Sequence, residues 1–441
     1  MHAYTKWLAA AGLVAALARP AHAQQRITFD QAVDVALRQN VALRQAKNAT
    51  AMQAAAVTQQ KLQFLPNLSL STSTGQSYGR SFSQSEGTII NQTTESLNAG
   101  VSSSVTLFDG LRNVSALAAA RANETASEQE LTRARQTVVF TVASNFLAAV
   151  STSEQVKVQA GNLASLEAQA AQIRRFVEAG TRPISDQYQQ DASVAAARAS
   201  VVDARNALEK AKVDLMQTLQ LDPTGEYEFV APLLDTTAAL ALPPLDTLVA
   251  RALAQRADLD AQASRVDAAK QGVKSAAAGR WPTVSLSAGY NTAFTTANTL
   301  SFADQLDQRR GGSIGVGISI PLFDRGNTSI ASQQAKIQED NARLTLSSQR
   351  QEVALQVRRA WLDMQAADER LKAAQAQRAA ADLAVAASSK RYEVGAATLV
   401  ELTQARALQL QAASALVSAR YTLAFQQALV TYYTGDLAVA G

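Results

Sequence analysis

Cysteine is absent from the chain, and its only two histidines, His2 and His22, both precede Gln24. Without Cys there is neither a disulfide framework nor a thiol for lipid attachment. If a leader ending at Ala23 is removed, the mature chain also lacks the imidazoles and thiols on which nucleophile–base catalysis and transition-metal binding usually rest. No enzyme constellation, cofactor or metal is therefore expected. Charge is short of one-sided excess as well: losing Lys6 and Arg19 with the leader takes the 41 Lys plus Arg to 39, against 37 Asp plus Glu. That balance gives no case for nucleic acid. Beyond the leader no stretch approaches the roughly 20 consecutive apolar residues of a membrane helix. A mature chain that enters a membrane must then do so as a β-barrel.

Residues 1–23 have the three parts of a secretory signal: His2 and Lys6 near the start, the apolar run Trp7–Ala18, and small residues at Ala21–Ala23. Cleavage before Gln24 is expected.

The chain then repeats itself. LPNLSLS (Leu65–Ser71) is answered by WPTVSLS (Trp281–Ser287), and Leu37 and Leu43 are answered by Leu253 and Leu259 at the same offset. LFDG (Leu107–Gly110) is answered by LFDR (Leu322–Arg325), and Gly180 by Gly395, with the offset shorter by a single position. Landmarks in one register mean two copies of one unit. The copies are read as 24–220 and 245–435, joined by a proline-bearing linker at 221–244 and followed by a tail at 436–441.

Each copy reads helix, strand, strand, helix, helix. The first helices are expected at about 30–63 and 245–279, each stopped by Pro66 or Pro282. Strands are expected at about 67–78, 97–108, 283–294 and 313–323, with Asp109 and Asp324 as N-caps for the helices after them. From Gly110 to Glu178 and from Arg325 to Val394 there is no proline, which implies helices of roughly 100 Å. Each ends near a glycine turn, and a shorter helix returns, to Leu221 in one copy and Tyr433 in the other. These helices mix Leu and Val with many Ala and Ser, which suits close coiled-coil packing.

The strands have two distinct faces. In Gly311–Gly326, Ile314, Val316, Ile318 and Ile320 alternate with Ser313, Gly315, Gly317 and Ser319. The same alternation sets Val284, Leu286 and Tyr290 against Ser285, Ser287 and Gly289, and Val101, Val105 and Leu107 against Ser102, Ser104 and Thr106. A half-buried soluble sheet gives this period too. The signal, the duplicated hairpins and the polar loops at 80–96 and 298–310 favour an outer-membrane barrel whose small polar face lines a lumen. Four strands cannot close a barrel, so several protomers must share one: two would give eight strands, three would give twelve.

The strand entries FLPNLSLS and RWPTVSLS, the LFD at strand exits, and the turns RRFVEAGTRPISDQ (Arg174–Gln187) and RYEVGAATLVELTQA (Arg391–Ala405) together resemble the outer-membrane efflux protein (TolC) family along essentially the whole mature chain. The fold class is then mainly α with a β-barrel part. The resemblance implies a homotrimer: a twelve-stranded barrel in outer-membrane lipid, continued by a periplasmic α-helical barrel. It also implies an exit duct for small molecules or secreted polypeptides, working with a periplasmic adaptor (membrane fusion) protein and an inner-membrane RND, ABC or MFS transporter. In that family the second-copy turn contributes an aromatic, a basic residue and two carboxylates to a periplasmic gate. Tyr392 matches the aromatic and Glu401 the first acid, but Ala397 stands where Arg is usual and Gln404 where the second acid is usual. From the first-copy turn Arg182 and Asp186 could make good the deficit, Arg182 pairing with Glu401 or Asp186. Gly180 and Thr181, with Gly395 and Ala396, are the tips expected to meet the adaptor, although the glycines serve equally as helix C-caps. A periplasmic coiled-coil adaptor, or a structural protein without a pore, is the alternative. The former would carry one helical hairpin rather than a repeated unit, and the latter has no use for lipid-facing strands.

Overall fold

The computed structural model describes residues 25–83, 87–230 and 243–436. The leader read at 1–23, most of the second half of the linker and all but one residue of the tail lie outside them. In chain order the described elements are β1 (Gln25–Thr28), α1 (Phe29–Gln39), α2 (Val41–Leu62), β2 (Ser69–Ser83), β3 (Thr88–Phe108), α3 (Arg112–Glu178), α4 (Ile184–Leu219), β4 (Tyr227–Val230), α5 (Leu245–Gln255), α6 (Ala257–Ala277), β5 (Thr283–Thr295), α7 (Phe302–Gln308), β6 (Gly311–Ser319), α8 (Asn327–Glu393) and α9 (Leu399–Thr434).

The two longest helices, α3 and α8, are 67 residues each, close to the span free of proline in the sequence. Their stability comes from a seam rather than from amphipathicity. Along α8 the residues Val353, Val357, Ala360, Met364, Ala367, Leu371 and Ala374 are all buried, at alternating steps of four and three. This is the heptad spacing of a coiled coil, and its alanines let the neighbouring backbone approach closely. Asp109 and Asp324 cap these helices as expected. Asp109 Oδ2 accepts from the Asn113 amide at 3.0 Å, and Asp324 Oδ2 from the Thr328 amide at 2.8 Å.

The chain divides into two compact units that each draw on separated segments. One comprises residues up to Asn40, Val138–Leu242 and Leu362–Leu429. In it β1 pairs in parallel with β4, Gln25 opposite Tyr227. The buried ring of Phe146 packs edge-on against Phe29 at 5.6 Å and Phe229 at 6.2 Å. The other unit comprises Val41–Thr137, Pro243–Trp361 and the residues from Val430, and holds the four-stranded antiparallel sheet in the order β2-β3-β5-β6. There the buried Arg256 grips Asp258 with two hydrogen bonds of 2.9 and 2.6 Å and donates a third, 2.9 Å, to Gln356. In the same unit Arg133 stacks on Tyr432, 3.9 Å above the ring centroid, and donates to the Tyr432 carbonyl at 3.1 Å. Arg251 binds Asp436 at 2.9 Å, fixing the end of α9.

Several boundaries differ from the sequence reading. Each first helix is two: α1 and α2 part at Asn40, and α5 and α6 at Arg256, both in extended or non-helical geometry. Neither break has a proline or glycine to announce it. Asn40 is held by a side-chain bond to the Thr218 carbonyl, and Arg256 by its bond to Gln356, one hundred residues away, so tertiary contacts override helix propensity. β3 begins at Thr88 rather than near 97, because Thr88–Ser96 pair in register with Gly75–Ser83 of β2. β6 ends at Ser319, short of 323. A strand, β4, occupies part of the stretch read as linker, and the loop read at 298–310 contains α7. The latter is anchored by Gln305, whose fully buried amide bonds the Thr295 and Leu300 carbonyls and accepts from the Thr295 amide.

The Arg256–Asp258 pair carries a pH signature. Burial would raise the Asp258 pKa, but the hydrogen bonds and charge of Arg256 outweigh it and hold the carboxyl below its ordinary value. A depressed carboxylate stabilises the fold fully above the ordinary carboxylate range and progressively less as pH falls through its folded value. Thermal melts of the detergent-solubilised protein should therefore lose stability below about pH 4. Asp258→Asn, which leaves Arg256 buried beside a neutral partner, should cost about 3 kcal/mol at pH 7 and flatten that acid limb. An unchanged acid limb would assign the loss to other groups.

Candidate functional site

Two constructions stand out, one in each unit. The first is the sheet. Apart from a bulge between Thr106 and Phe108 that leaves Leu107 unpaired, its register sorts the residues onto two faces. Rows running across β3, β5 and β6 read Ser104–Ser287–Gly315 and Thr106–Ser285–Gly317, and a row across all four strands reads Ser69–Ser102–Gly289–Ser313. The intervening rows, on the opposite face, read Val105–Leu286–Val316, Ser103–Ala288–Ile314 and Leu70–Val101–Tyr290–Gly312. The small face is knit across strands: Ser69 and Ser102 hydroxyls lie 2.8 Å apart, and Ser287 Oγ donates to the Gly315 carbonyl at 3.3 Å. The described residues of the protomer leave the aliphatic face uncovered; Ile314 is 83% exposed and Ile318 66%. Such a contiguous exposed aliphatic surface seeks an apolar environment. No described helix is long and apolar enough to cross a membrane.

The second construction is the pair of helix turns. α3 and α8 end alike. Gly180 (φ 70°) and Gly395 (φ 78°) occupy the left-handed region. The next amides, Thr181 and Ala396, reach back to the carbonyls of Phe176 and Arg391 at 2.9 and 2.8 Å. These are six-to-one bonds of the Schellman type, which glycine permits without a Cβ penalty. Both glycines are thus C-caps, and Gly180, Thr181, Gly395 and Ala396 form the two turns.

Tyr392, 2% exposed, is the centre of the cluster, packed with Ile173, Ala397, Leu399, Leu402 and the half-buried Val177. The Arg182 guanidinium lies 4.4 Å from the Tyr392 ring centroid and its Nη2 donates to the Tyr392 carbonyl at 2.6 Å. From the other side the Tyr392 hydroxyl donates to Asp186 Oδ2 at 3.4 Å. Burial, followed by the nearby Asp186 charge, pushes the phenol pKa up, so the hydroxyl stays protonated and a donor. The structure thereby brings Arg182, Asp186 and Tyr392 together across the two turns.

Glu401 stands elsewhere. Within the protomer Arg182 pairs with neither Glu401 nor Asp186, contrary to expectation; it binds the tyrosine instead. Glu401 sits 3.6 Å from Arg391, and its backbone amide donates to Thr398 Oγ1 at 3.2 Å. It belongs to the Thr398-x-x-Glu401 start of α9, a sequence pattern of helix N-termini that the gate reading left out. Arg391, which also donates to the Ala396 carbonyl at 3.1 Å, was missed too. Gln404 lies one turn into α9 and is exposed. Ala397 is buried against Tyr392, at the position where Arg is usual in the family it resembles.

A two-faced membrane-type hairpin sheet joined to paired long helices is the architecture of an outer-membrane channel subunit. The sequence profile of the outer membrane efflux protein family matches residues 32–219 and again 248–435. The chain belongs to that family. It is similar to the outer membrane efflux protein BepC of Brucella suis biovar 1 (26% identical, covering 77% of this chain and 72% of BepC). It is also similar to the outer membrane protein TolC of Vibrio cholerae (24%, covering 77% and 78%). Among solved structures the fold matches CusC at a TM-score of 0.81, with 18% identity over 92% of each chain. It also matches the outer-membrane channel OprN at 0.78, with 23% identity over 92% of this chain and 89% of that one. The protein is an outer-membrane exit duct of the TolC family rather than an enzyme, and a poreless adaptor or structural role finds no support in these matches.

The turn cluster can be tested by itself. The Tyr392 hydroxyl bond is long, so Tyr392→Phe should change the cluster by less than about 1 kcal/mol. Tyr392→Ala removes a buried ring and should cost about 3–5 kcal/mol. Amide hydrogen exchange at Thr181 and Ala396 should accelerate strongly in the alanine variant and little in the phenylalanine one. Equal acceleration would mean that the hydrogen bond, not the packing, holds the turns.

Proposed function

We propose that the duct is a homotrimer whose two turns per protomer form a periplasmic gate and the docking face for a periplasmic adaptor, through which an inner-membrane transporter delivers cargo. The observation that carries the assembly is the sheet order: among the described residues the outer edges of β2 and β6 have no partner strand in the protomer. In lipid each unpaired backbone group costs several kcal/mol. Three copies joined edge to edge give twelve strands, a closed barrel and a lumen wider than two would leave. The helices next to those edges in the chain support the same pairing. α2 exposes Val41, Met52 and Leu62, about three turns apart, and α8 exposes Ile330, Ile337 and Leu344 at heptad spacing. Exposed apolar residues on these two helices of one unit suit a packing contact between α2 of one copy and α8 of the next.

The domain reading, two repeats at 24–220 and 245–435, is supported by the two stretches that the family profile matches. For the gate, Arg182 takes the place of the basic residue missing at 397, and its partner is the face and carbonyl of Tyr392 rather than an acid. Charge pairs at the turns are therefore secondary: Glu401 serves Arg391, and Gln404 brings no charge. The transported class follows the relatives only in outline. One relative, AprF of Pseudomonas aeruginosa, is an alkaline protease secretion protein (24% identical, covering 70% of this chain and 64% of AprF), so polypeptides stand beside small molecules as cargo.

Purified protein in detergent should have the mass of three chains, and in planar bilayers it should give discrete low-conductance steps. Arg182→Ala, by releasing the tie between the two turns in all three copies, should raise the conductance of each step several-fold, and Glu401→Ala should raise it much less. A monomeric mass would overturn the assembly. Equal conductance in wild type and Arg182→Ala would overturn the gate.

A further inference from the structure

α3 contains one glycine, Gly161, in its C-terminal third, whereas α8, of equal length, has none. Glycine inside a helix is destabilising relative to alanine. No close helix contact demands it here, since a Cβ on Gly161 would meet no atom within 4 Å. What lies beside it is a crevice of about 360 Å³, lined also by Lys157 and Ser165 of α3, Arg378 of α8, and Arg406 and Gln409 of α9. All of these residues belong to one compact unit.

Two of the three cations are already neutralised. Lys157 Nζ lies 2.6 Å from Glu154, and Arg378 Nε lies 2.8 Å from Asp382, which also accepts from Gln409 at 2.7 Å. Arg406 has no carboxylate partner among the described residues. Its Nη1 donates to Ser165 Oγ at 2.6 Å, and its Nε is shut off from solvent with no acceptor. Burial lowers its pKa with no acidic neighbour to offset the effect. A half-buried guanidinium with spare donors and no counter-charge is stabilised by an anion that accepts several of its N–H groups together.

We propose that this crevice binds the anionic group of a small ligand, a carboxylate or a tetrahedral oxyanion, on Arg406, in the space that Gly161 leaves open. The site takes one negative charge, since Arg406 is the one uncompensated cation on its wall. Its walls come from both repeats, Asn162 and Ser165 from the first and Arg406 and Gln409 from the second, so an occupant ties α3 to α9. Such binding is separate from the exit-duct role and does not depend on the gate.

The test is isothermal titration of the full-length protein in detergent, at fixed pH and ionic strength, with sodium phosphate and separately with sodium acetate. At least one should bind saturably; acetate alone would assign the site to carboxylates, phosphate alone to oxyanions. Arg406→Gln should weaken that binding at least tenfold, and Arg406→Lys less. Gly161→Leu, which fills the crevice while improving helix propensity, should abolish binding with a thermal transition no lower than wild type. The absence of saturable heat from either anion in folded wild type would overturn the proposal, as would binding that survives both Arg406→Gln and Gly161→Leu.

Discussion

A β-strand in hydrocarbon has no water to satisfy its backbone, and this constraint governs the protein. Among the described residues the sheet has four strands, with β2 and β6 at its limits. One face carries Leu70, Val105, Leu286, Val316 and Ile318; the other carries Ser69, Ser104, Ser287 and Gly315. Such a sheet is unsuited to water on its aliphatic face and to lipid along its edges. Closure with other copies answers the second problem, and outer-membrane lipid answers the first. The small side chains on the remaining face then leave the enclosed space open. The side chains that make this sheet unstable as a lone soluble layer are the ones that make it useful as a wall.

The helices meet a related demand with different chemistry. A helix of 67 residues cannot be buried in a compact domain, so its stabilising contacts must repeat along its length. The α8 seam from Val353 to Ala374 does so at coiled-coil spacing, with alanine among its buried positions where neighbouring backbones come close. Where the helix ends, the turns take over. Gly395 allows the chain to reverse, and Tyr392 beneath it ties the second turn to Arg182 and Asp186 of the first. A cation acting on an aromatic face keeps its attraction in a partly desolvated setting, which suits a contact made inside a helical bundle.

Much of this was legible in the residues. Pro66 and Pro282 ahead of the first strand of each hairpin, the period-two alternation, Asp109 and Asp324 ahead of the long helices, and glycine at both turns are local signals, and the structure follows them. The features that were not legible depend on contacts distant in sequence. Nothing near Asn40 or Arg256 marks a helix break, because the partners that hold those bends, Thr218 and Gln356, are remote along the chain. β4 was hidden because its partner β1 lies at the far end of the first repeat. The capping contact of Glu401 was not legible for another reason: an acid at a turn can cap a helix or pair across an interface, and composition alone does not choose between them. Arg182 was found as a residue but not as a contact, since spacing shows that a cation is available and not that its partner is a ring.

If the aliphatic face meets lipid and the small face meets an aqueous lumen, water-borne reagents must tell the two apart. The absence of native cysteine allows that to be measured directly. Single cysteines replacing Ser104 or Ser287, and Leu286 or Val316, can be exposed to a membrane-impermeant, water-soluble thiol reagent in reconstituted vesicles. Rapid labelling is expected at the two serine positions and protection at the leucine and valine positions. Labelling at Leu286 and Val316 with protection at Ser104 and Ser287 would contradict the assignment of the faces.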